Sequence, residues 1–212
     1  MQQLAKLLSF INHPIHLRLL LAAFSLALVS CGGGSTPTYT VGGTVSGLTS
    51  GSLVLKNNNG DDLTISANST SFTFATALAS GATYAVTAGT RPSRLACDIT
   101  NNTGTIAGTN VTGVTITCIA PVYVANYGSN TISMYAVNAT TGILTALTTP
   151  TVVTGSFPYS IAVNPAGTFA YVVNERGSTV SMYAINAATG ILTALTTPTV
   201  ATGNGPLSIA FK

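Results

Sequence analysis

The chain has 212 residues, and 46% of them are hydrophobic, which suffices for one large domain or two small ones. Only 5% are charged, against a usual share of about a quarter, and the formal net charge is +3. Lys6 and Arg18 lie near the N-terminus, and the remaining charges nearly cancel. Phosphate binding needs clustered Lys and Arg, so this composition excludes nucleic acid from the expected partners.

The first 30 residues have the pattern of an export signal. A weakly basic stretch precedes an apolar run at 19–29, and Cys31 follows that run. The run is too short to span a bilayer, which takes about 20 apolar residues. Leu28-Val29-Ser30-Cys31 resembles the lipobox of bacterial lipoproteins, which implies that Cys31 becomes the acylated first residue of the mature protein. An ordinary cleaved signal peptide and an uncleaved anchor are the alternatives.

We accordingly expect a lipoprotein signal peptide at residues 1–30 and a flexible tether, rich in Gly, Ser and Thr, at residues 31–38. The lipid would attach the mature chain to a membrane of the cell envelope. Gly32 stands where lipoprotein families commonly use Asp for inner-membrane retention, so the resemblance favours the outer membrane or a periplasmic or cell-surface location.

Three cysteines leave one over after any pairing, and Cys31 is the one with another use. Cys97 and Cys118 are then expected to form a disulfide in an oxidising compartment, closing a loop of about 20 residues. No His follows His16, so neither an activated thiol nor a zinc site is expected at this pair. The sequence predicts no metal and no cofactor.

Residues 39–119 show short alternating segments bounded by Gly, Asn and Ser, which predicts a small β-sandwich. Strands at 52–56 and 63–66 are expected to flank a hairpin turn at 57–62. The two carboxylates in that turn, of Asp61 and Asp62, are interpreted as solvated, because calcium needs six or more oxygen ligands.

Three segments of this region resemble the bacterial immunoglobulin-like or prealbumin-like modules found beside the propellers of secreted proteins: 41–48, 71–74 and 81–86. The resemblance implies a spacer or an adhesive unit and specifies no activity. Arg91 and Arg94 flank a proline and are expected on a loop as solubilising charge.

Residues 120–212 contain two copies of one unit. Tyr123-Val-Ala-Asn126 recurs as Tyr171-Val-Val-Asn174 after about 48 residues, a period typical of propeller blades. Residues 141–152 recur unchanged as 189–200. Alternating segments and turn residues within a unit predict four antiparallel strands, which is the composition of a propeller blade.

The Tyr-Val-x-Asn motif, with Pro158-Tyr-Ser-Ile-Ala162 and its copy Pro206-Leu-Ser-Ile-Ala210, resembles the surface-layer-type YVTN propeller repeats that are often described as lactonase-like. Relatives of this type have about seven blades, so two units make an incomplete propeller with exposed apolar faces. Three interpretations stay open: a fragment of a longer protein, which we favour, self-association of several chains, or completion by a related chain. The predicted fold class is all-β, a small β-sandwich followed by two propeller-type four-stranded repeats.

The lactonase resemblance would imply hydrolysis of a sugar lactone by acid, base and cationic residues in a central channel, as in a 6-phosphogluconolactonase-like enzyme. The repeats contain one acid, Glu175, beside Arg176, and the two are interpreted as a solvated turn pair. No catalytic residue is predicted. We expect a noncatalytic binding or scaffold protein, tethered at the cell envelope, with an unidentified protein or glycan ligand. A lactonase-like enzyme fragment whose catalytic blades are missing is the alternative.

Overall fold

The computed structural model describes residues 35–138 and 141–212. These residues form sixteen strands and no helix, which confirms the expected all-β fold class. The described part therefore contains no helix that is long and apolar enough to cross a membrane. The expected signal peptide at 1–30 and the first half of the tether, residues 31–34 with Cys31, lie outside the described residues.

The strands that precede the repeats form a β-sandwich. They are β1 (Thr38–Tyr39), β2 (Val41–Ser46), β3 (Ser52–Asn57), β4 (Gly60–Ser66), β5 (Ser71–Thr73), β6 (Leu78–Ala79), β7 (Thr83–Ala88), β8 (Ala96–Thr100), β9 (Thr103–Thr105) and β10 (Val111–Asn126). One sheet has the order β4-β3-β7-β9, and the other joins β8, β10, β2 and β5. β1 and β6 form a separate two-stranded ribbon.

Alternating apolar side chains hold the two sheets of the sandwich together. Leu53, Leu55 and Val86 point inward from one sheet, and Val114 and Ile116 point inward from the other; all five are fully buried. Burying one such side chain contributes about 1.5–3 kcal/mol. The alternation of apolar residues that predicted the strands is thus the alternation of side chains that point into the core.

The first hairpin turns more tightly than the sequence suggested. The expected turn at 57–62 is a two-residue turn, because Asn57 pairs with Gly60 across it. Asn58 and Asn59 both have positive φ, 52° and 60°, as the type I′ turn of a two-residue hairpin requires. Asn tolerates this backbone conformation, so β3 and β4 both continue into the run of polar residues and leave only two residues for the turn.

β10 is a single strand of 16 residues that belongs to both halves of the structure. Its first half pairs in parallel with β2 and antiparallel with β8, and its second half pairs antiparallel with the next strand of the chain. The change of partner falls between Ile119, which pairs with Ala96, and Ala120, which pairs with Val137. No linker separates the sandwich from the repeats at the expected division between 119 and 120.

The repeats form two sheets of antiparallel strands. Their further strands are β11 (Thr131–Val137), β12 (Leu144–Val153), β13 (Pro158–Val163), β14 (Phe169–Asn174), β15 (Thr179–Ile185) and β16 (Leu192–Ala201). The second copy is a four-stranded sheet of order β13-β14-β15-β16. The first copy contributes the second half of β10 with β11 and β12, because the residues that align with β13 belong to the sandwich half of β10.

The copy of the β13 sequence at residues 206–210 forms no strand. Residues 202–212 lie in no strand, although they copy the sequence that forms β13. β13 is held by pairing with β14 of its own unit, and the corresponding partner of 206–210 would be a strand of a further unit. A strand needs such a neighbour to satisfy its backbone, so the sequence pattern alone was insufficient here.

The sheets of the two units pack face to face through a shared core. Ile132 and Met134 of the first unit and Val172, Tyr183 and Leu192 of the second are buried in one cluster. This is the packing of adjacent blades in a propeller.

Two tyrosines reinforce this interface reciprocally. The Tyr123 hydroxyl of the first unit donates to the Gly190 carbonyl of the second at 2.6 Å. The Tyr183 hydroxyl of the second donates to the Val153 carbonyl of the first, also at 2.6 Å. Burial raises the pKa of both phenols above the ordinary value of about 10.

The disulfide between Cys97 of β8 and Cys118 of β10 lies in the sandwich core, with both side chains buried and the Cα atoms 4.0 Å apart. Because it closes a loop across a sequence separation of 21, the double substitution Cys97→Ala and Cys118→Ala should lower the free energy of unfolding by about 3 kcal/mol. Urea unfolding of the double variant and of the unsubstituted chain, both with Cys31→Ser, measures the difference. An unchanged midpoint would contradict the prediction.

The buried tyrosines predict a loss of stability in alkali. The unfolded chain ionises its phenols near pH 10, whereas Tyr123 and Tyr183 stay neutral to higher pH in the folded chain. Their stabilising contribution is therefore complete below about pH 10 and is lost as the pH rises toward the folded pKa values. Urea unfolding from about pH 9 to 11 should show this decline, and Tyr123→Phe should make it shallower; equal slopes would contradict the assignment.

Candidate functional site

The carboxylates of Asp61 and Asp62, in the first hairpin, have partners within the sandwich. The Asp62 carboxylate lies 2.7 Å from Lys56 Nζ, and Asp61 Oδ2 accepts a hydrogen bond from the Thr76 backbone N–H at 3.2 Å. Both carboxylates thus bind groups of the sandwich itself. Among residues 35–138 and 141–212, no three His, Cys, Asp or Glu side chains lie together.

The asparagine that ends each Tyr-Val-x-Asn motif holds the following hairpin closed. The Asn174 Nδ2 donates to Thr179 Oγ1 at 3.0 Å and to Ser181 Oγ at 2.9 Å. Asn126 makes the equivalent bonds in the first unit, to Thr131 and Ser133. The motif therefore has a structural role, because its asparagine holds the hairpin at the end of each sheet.

The loop between β12 and β13 is fixed at this same end of the sheets. Ser181 Oγ accepts a hydrogen bond from the Gly155 N–H, and Asn130 Oδ1 accepts one from the Phe157 N–H. The Phe157 carbonyl in turn accepts a hydrogen bond from the Glu175 N–H. Side chains of both units thus determine where Phe157 lies.

Phe157 has an unusual backbone conformation. Its φ is +58°, in the left-handed region that bulky residues seldom adopt. The residue that aligns with it in the second copy is Gly205, which has φ +61° without a side chain to strain. A phenylalanine held at a position suited to glycine indicates that its ring has a role, because such strain accumulates at functional sites.

The ring of Phe157 is the centre of an aromatic and ionic cluster, which we call the Phe157 cluster. Tyr127 contacts it edge to face, with 4.8 Å between ring centroids, and the Arg176 guanidinium lies 4.2 Å above its face. Tyr159 contacts Tyr127 at 6.3 Å, and the Tyr127 hydroxyl donates to Glu175 Oε2 at 2.6 Å. Five side chains from three segments of the two units therefore form one continuous surface.

The charged pair of this cluster lies in a turn, as the sequence interpretation expected, and Arg176 is exposed. The structure adds a partner for each side chain: the Glu175 carboxylate accepts a hydrogen bond from the Tyr127 hydroxyl, and the Arg176 guanidinium stacks on Phe157. The hydrogen bond to Glu175 is the main cause of a raised pKa at Tyr127. Glu175 thus accepts a strong hydrogen bond from a neutral phenol and has no second carboxylate or imidazole beside it within the described residues.

A second polar region lies between the sandwich and the second unit. It is a cleft of about 540 Å³ whose walls include Arg91 and Arg94 on one side and Asn164 and Thr168 on the other. The Arg91 Nε atom is buried and has no hydrogen-bond partner among the described atoms. The two arginines lie on a loop, as expected, and they line this cleft.

Antiparallel sheets that repeat along the chain and pack face to face, with four strands in the second unit, define the class of this region as β-propeller blades. Residues 100–211 match the family described as "Lactonase, 7-bladed beta-propeller". The match covers more than half of the chain, and the chain belongs to this family. No curated protein matches it.

Sequence reasoning weighed Tyr127 and Tyr159 as part of a sugar or peptide platform and interpreted them as core or sheet-packing residues. It did not predict the contacts around Phe157, because the members of the cluster align with dissimilar residues in the other copy. Tyr127 aligns with Glu175, and Phe157 aligns with Gly205. The signal that could have identified the cluster was this divergence, since residues 141–152 are unchanged between the copies whereas the turns at 127–130 and 156–157 differ.

The loop that carries Phe157 provides a test of how tightly the site is built. A Cβ atom at Gly155 would lie 2.6 Å from Asn174 Nδ2, whereas one at Gly203, the aligned glycine, would meet nothing within 4 Å. Because Asn174 is fully buried, we expect Gly155→Ala to lower the free energy of unfolding by about 1–3 kcal/mol. Gly203→Ala is the matched control and should change it by less than about 0.5 kcal/mol. Urea unfolding of dilute protein measures both, and equal effects would contradict the geometry.

Proposed function

We propose that the chain is a noncatalytic binding or scaffold protein of the cell envelope, and that the Phe157 cluster is its ligand-binding surface. The observation that carries the proposal is the state of Glu175, the one acidic residue in the repeats. Its carboxylate is bound to the Tyr127 hydroxyl at 2.6 Å, and the repeats contain no His. Lactone hydrolysis by general acid and base needs two such groups with matched pKa values.

The exposed members of the cluster support binding. Tyr127 and Tyr159 are 40% and 56% exposed, and their rings lie next to a guanidinium. Such rings present an apolar face and a hydroxyl to the same ligand, which suits a glycan or an extended peptide. The hydrogen bonds to Asn130 and Ser181 fix the loop, so little conformational entropy would be lost on binding.

The N-terminal features give this surface its location. The lipobox-like residues before Cys31 support acylation at that cysteine, and the sandwich, with its immunoglobulin-like or prealbumin-like segments, then acts as a spacer between the lipid and the repeats. The exposed contacts of Asp61 and Asp62 and the buried cysteine pair all join parts of the sandwich to each other. A spacer needs no site of its own.

A lactonase-like enzyme fragment is the second candidate, and the family match over residues 100–211 favours it. In this case the catalytic groups would belong to blades beyond the two units of this chain.

The two candidates differ in activity. We expect the chain to hydrolyse a sugar δ-lactone, with or without a 6-phosphate, no faster than buffer does, since its one repeat carboxylate lacks a partner group. Glu175→Gln is the matched variant, because it keeps the shape of the side chain. A hydrolysis rate above buffer that disappears in Glu175→Gln, measured by pH-stat titration, would favour the enzyme.

The anchor has a separate test. Membrane-extracted protein from its native host should have the mass of a chain that begins at acylated Cys31, and Cys31→Ser should carry no acyl mass. Intact mass spectrometry with and without reduction measures both this and the cysteine pair. A mature chain that begins elsewhere without lipid would contradict the anchor, and a mass well above that of residues 31–212 would favour the enzyme fragment.

A further inference from the structure

The two units differ by one strand, and the difference leaves an open edge. In the second unit β13 pairs with β14, with Ile161 opposite Val172 and Ala162 opposite Tyr171. In the first unit the residues aligned with β14 are the second half of β10, which pairs with β11 on one side. Within the described residues no strand pairs with its other side, so the backbone of Val122–Asn126 presents an edge.

The sequence that would fill this edge occurs once more in the chain. Residues 206–211 copy 158–163 and lie in no strand. The Phe211 ring contacts Tyr171 at 5.5 Å between centroids. Phe211 aligns with Val163, and Tyr171 aligns with Tyr123. Val163 and Tyr123 likewise pack in one cluster. The C-terminal segment therefore follows the path of β13, but against the outer face of the second unit.

The interface between the units is formed by two different faces. The residues of each face recur in the other unit on an outer surface, and we call these two outer surfaces the spare faces. Tyr123 and Met134 form the face of the first unit, and their copies Tyr171 and Met182 lie on the outer face of the second. Val172, Tyr183 and Leu192 form the opposing face, and their copies are Val124, Tyr135 and Leu144 on the outer face of the first unit.

The spare faces are open. Leu192 is 3% exposed inside the interface, whereas its copy Leu144 is 47% exposed. Val172 is fully buried, whereas its copy Val124 is 42% exposed. Within the described residues the hydroxyls of Tyr135 and Tyr171 make no hydrogen bond, although Tyr183 and Tyr123 each bind a carbonyl across the interface. None of these residues is charged, so docking would bury no ion.

We propose that a second copy of this chain docks head to tail on these faces. The outer face of the second unit of one copy packs on the outer face of the first unit of the next, and residues 206–211 of the first copy add to the open edge of β10 in the second. The register of β13 on β14 places Ile209 opposite Val124 and Ser208 opposite Ala125. The tyrosine bonds repeat, with Tyr171 donating to Gly142 and Tyr135 donating to Ala201.

This contact uses two different surfaces, so it is heterologous and continues from copy to copy until a ring closes. Each copy of residues 35–212 supplies two units, so a ring made of such copies holds an even number of units. Since propellers close with four to eight blades, rings of three or four copies lie nearest to the seven blades of the family. The proposal does not depend on the lipid anchor or on the absence of catalysis.

The self-association can be measured on the full chain with Cys31→Ser, which removes any effect of lipid. We expect the mass from sedimentation equilibrium to rise with concentration above that of one chain. Ser208→Pro removes a backbone N–H from an exposed residue outside any strand and should raise the dissociation constant at least about tenfold. Gly203→Ala should do the same, because its Cβ would meet Asn126 of the second copy as one at Gly155 meets Asn174.

Gly113→Ala is the matched control, since a Cβ there meets nothing within 4 Å and lies in the sandwich. It should leave association unchanged. A chain that stays monomeric from micromolar to near-millimolar concentration would overturn the proposal, and so would association that Ser208→Pro and Gly203→Ala leave intact.

Cysteine cross-linking tests the direction of docking independently of any loss of folding. Val124→Cys and Ile209→Cys variants are oxidised separately and as a mixture. Ile161 and Val172, the internal equivalents, lie opposite each other on paired strands, so the mixture should yield a covalent dimer that each variant alone does not. Cross-linking of Val124→Cys with itself would indicate a symmetric dimer and overturn the head-to-tail arrangement.

Discussion

Strand β10 is the constraint on which the rest of the structure depends, because a single run of backbone serves both halves. Cys118, near the middle of β10, fixes the strand in the sandwich core, and Tyr123, a short distance further along, binds the second unit. A continuous strand cannot swivel as a linker can, so the position of the first unit follows from the sandwich. Gly43 of β2 permits the close approach of the two strands, since a Cβ there would lie 1.7 Å from the Val114 carbonyl oxygen.

Within the described residues no ion pair joins the two units; the carboxylate of Glu175, which accepts a hydrogen bond from Tyr127, is the ionised group that binds across them. Hydroxyl and amide groups supply the directed contacts: Tyr123 and Tyr183 bind carbonyls, and the buried Asn174 and Ser181 hold the intervening loop. Hydrogen bonds of this kind contribute about 1 kcal/mol each and specify one packing among many apolar ones. Surface ion pairs would contribute less to that choice.

The periodic patterns of the sequence predicted the strands, but they did not predict the pairing of distant strands or the contacts between unlike turns. The strands of the repeats followed from alternation and from the near-identical copies, since each copy encodes its own hairpins. The parallel pairing of β2 with β10 depends on residues far apart in the chain, and no local pattern specifies that register. The Phe157 cluster was missed because contacts between Tyr127, Phe157 and Arg176 arise only when two unlike turns of two units meet.

The parallel pair of β2 and β10 also determines how the chain bears load. Val41 lies at the upstream end of β2, and the blades continue from the downstream end of β10, so tension between the N-terminal side and the blades pulls the two strands in opposite directions along their length. Their backbone hydrogen bonds lie across that direction and are sheared together, whereas a pulled hairpin opens one bond at a time. The parallel pairing of β2 with β10 therefore resists tension between the N-terminal side of the chain and the blades.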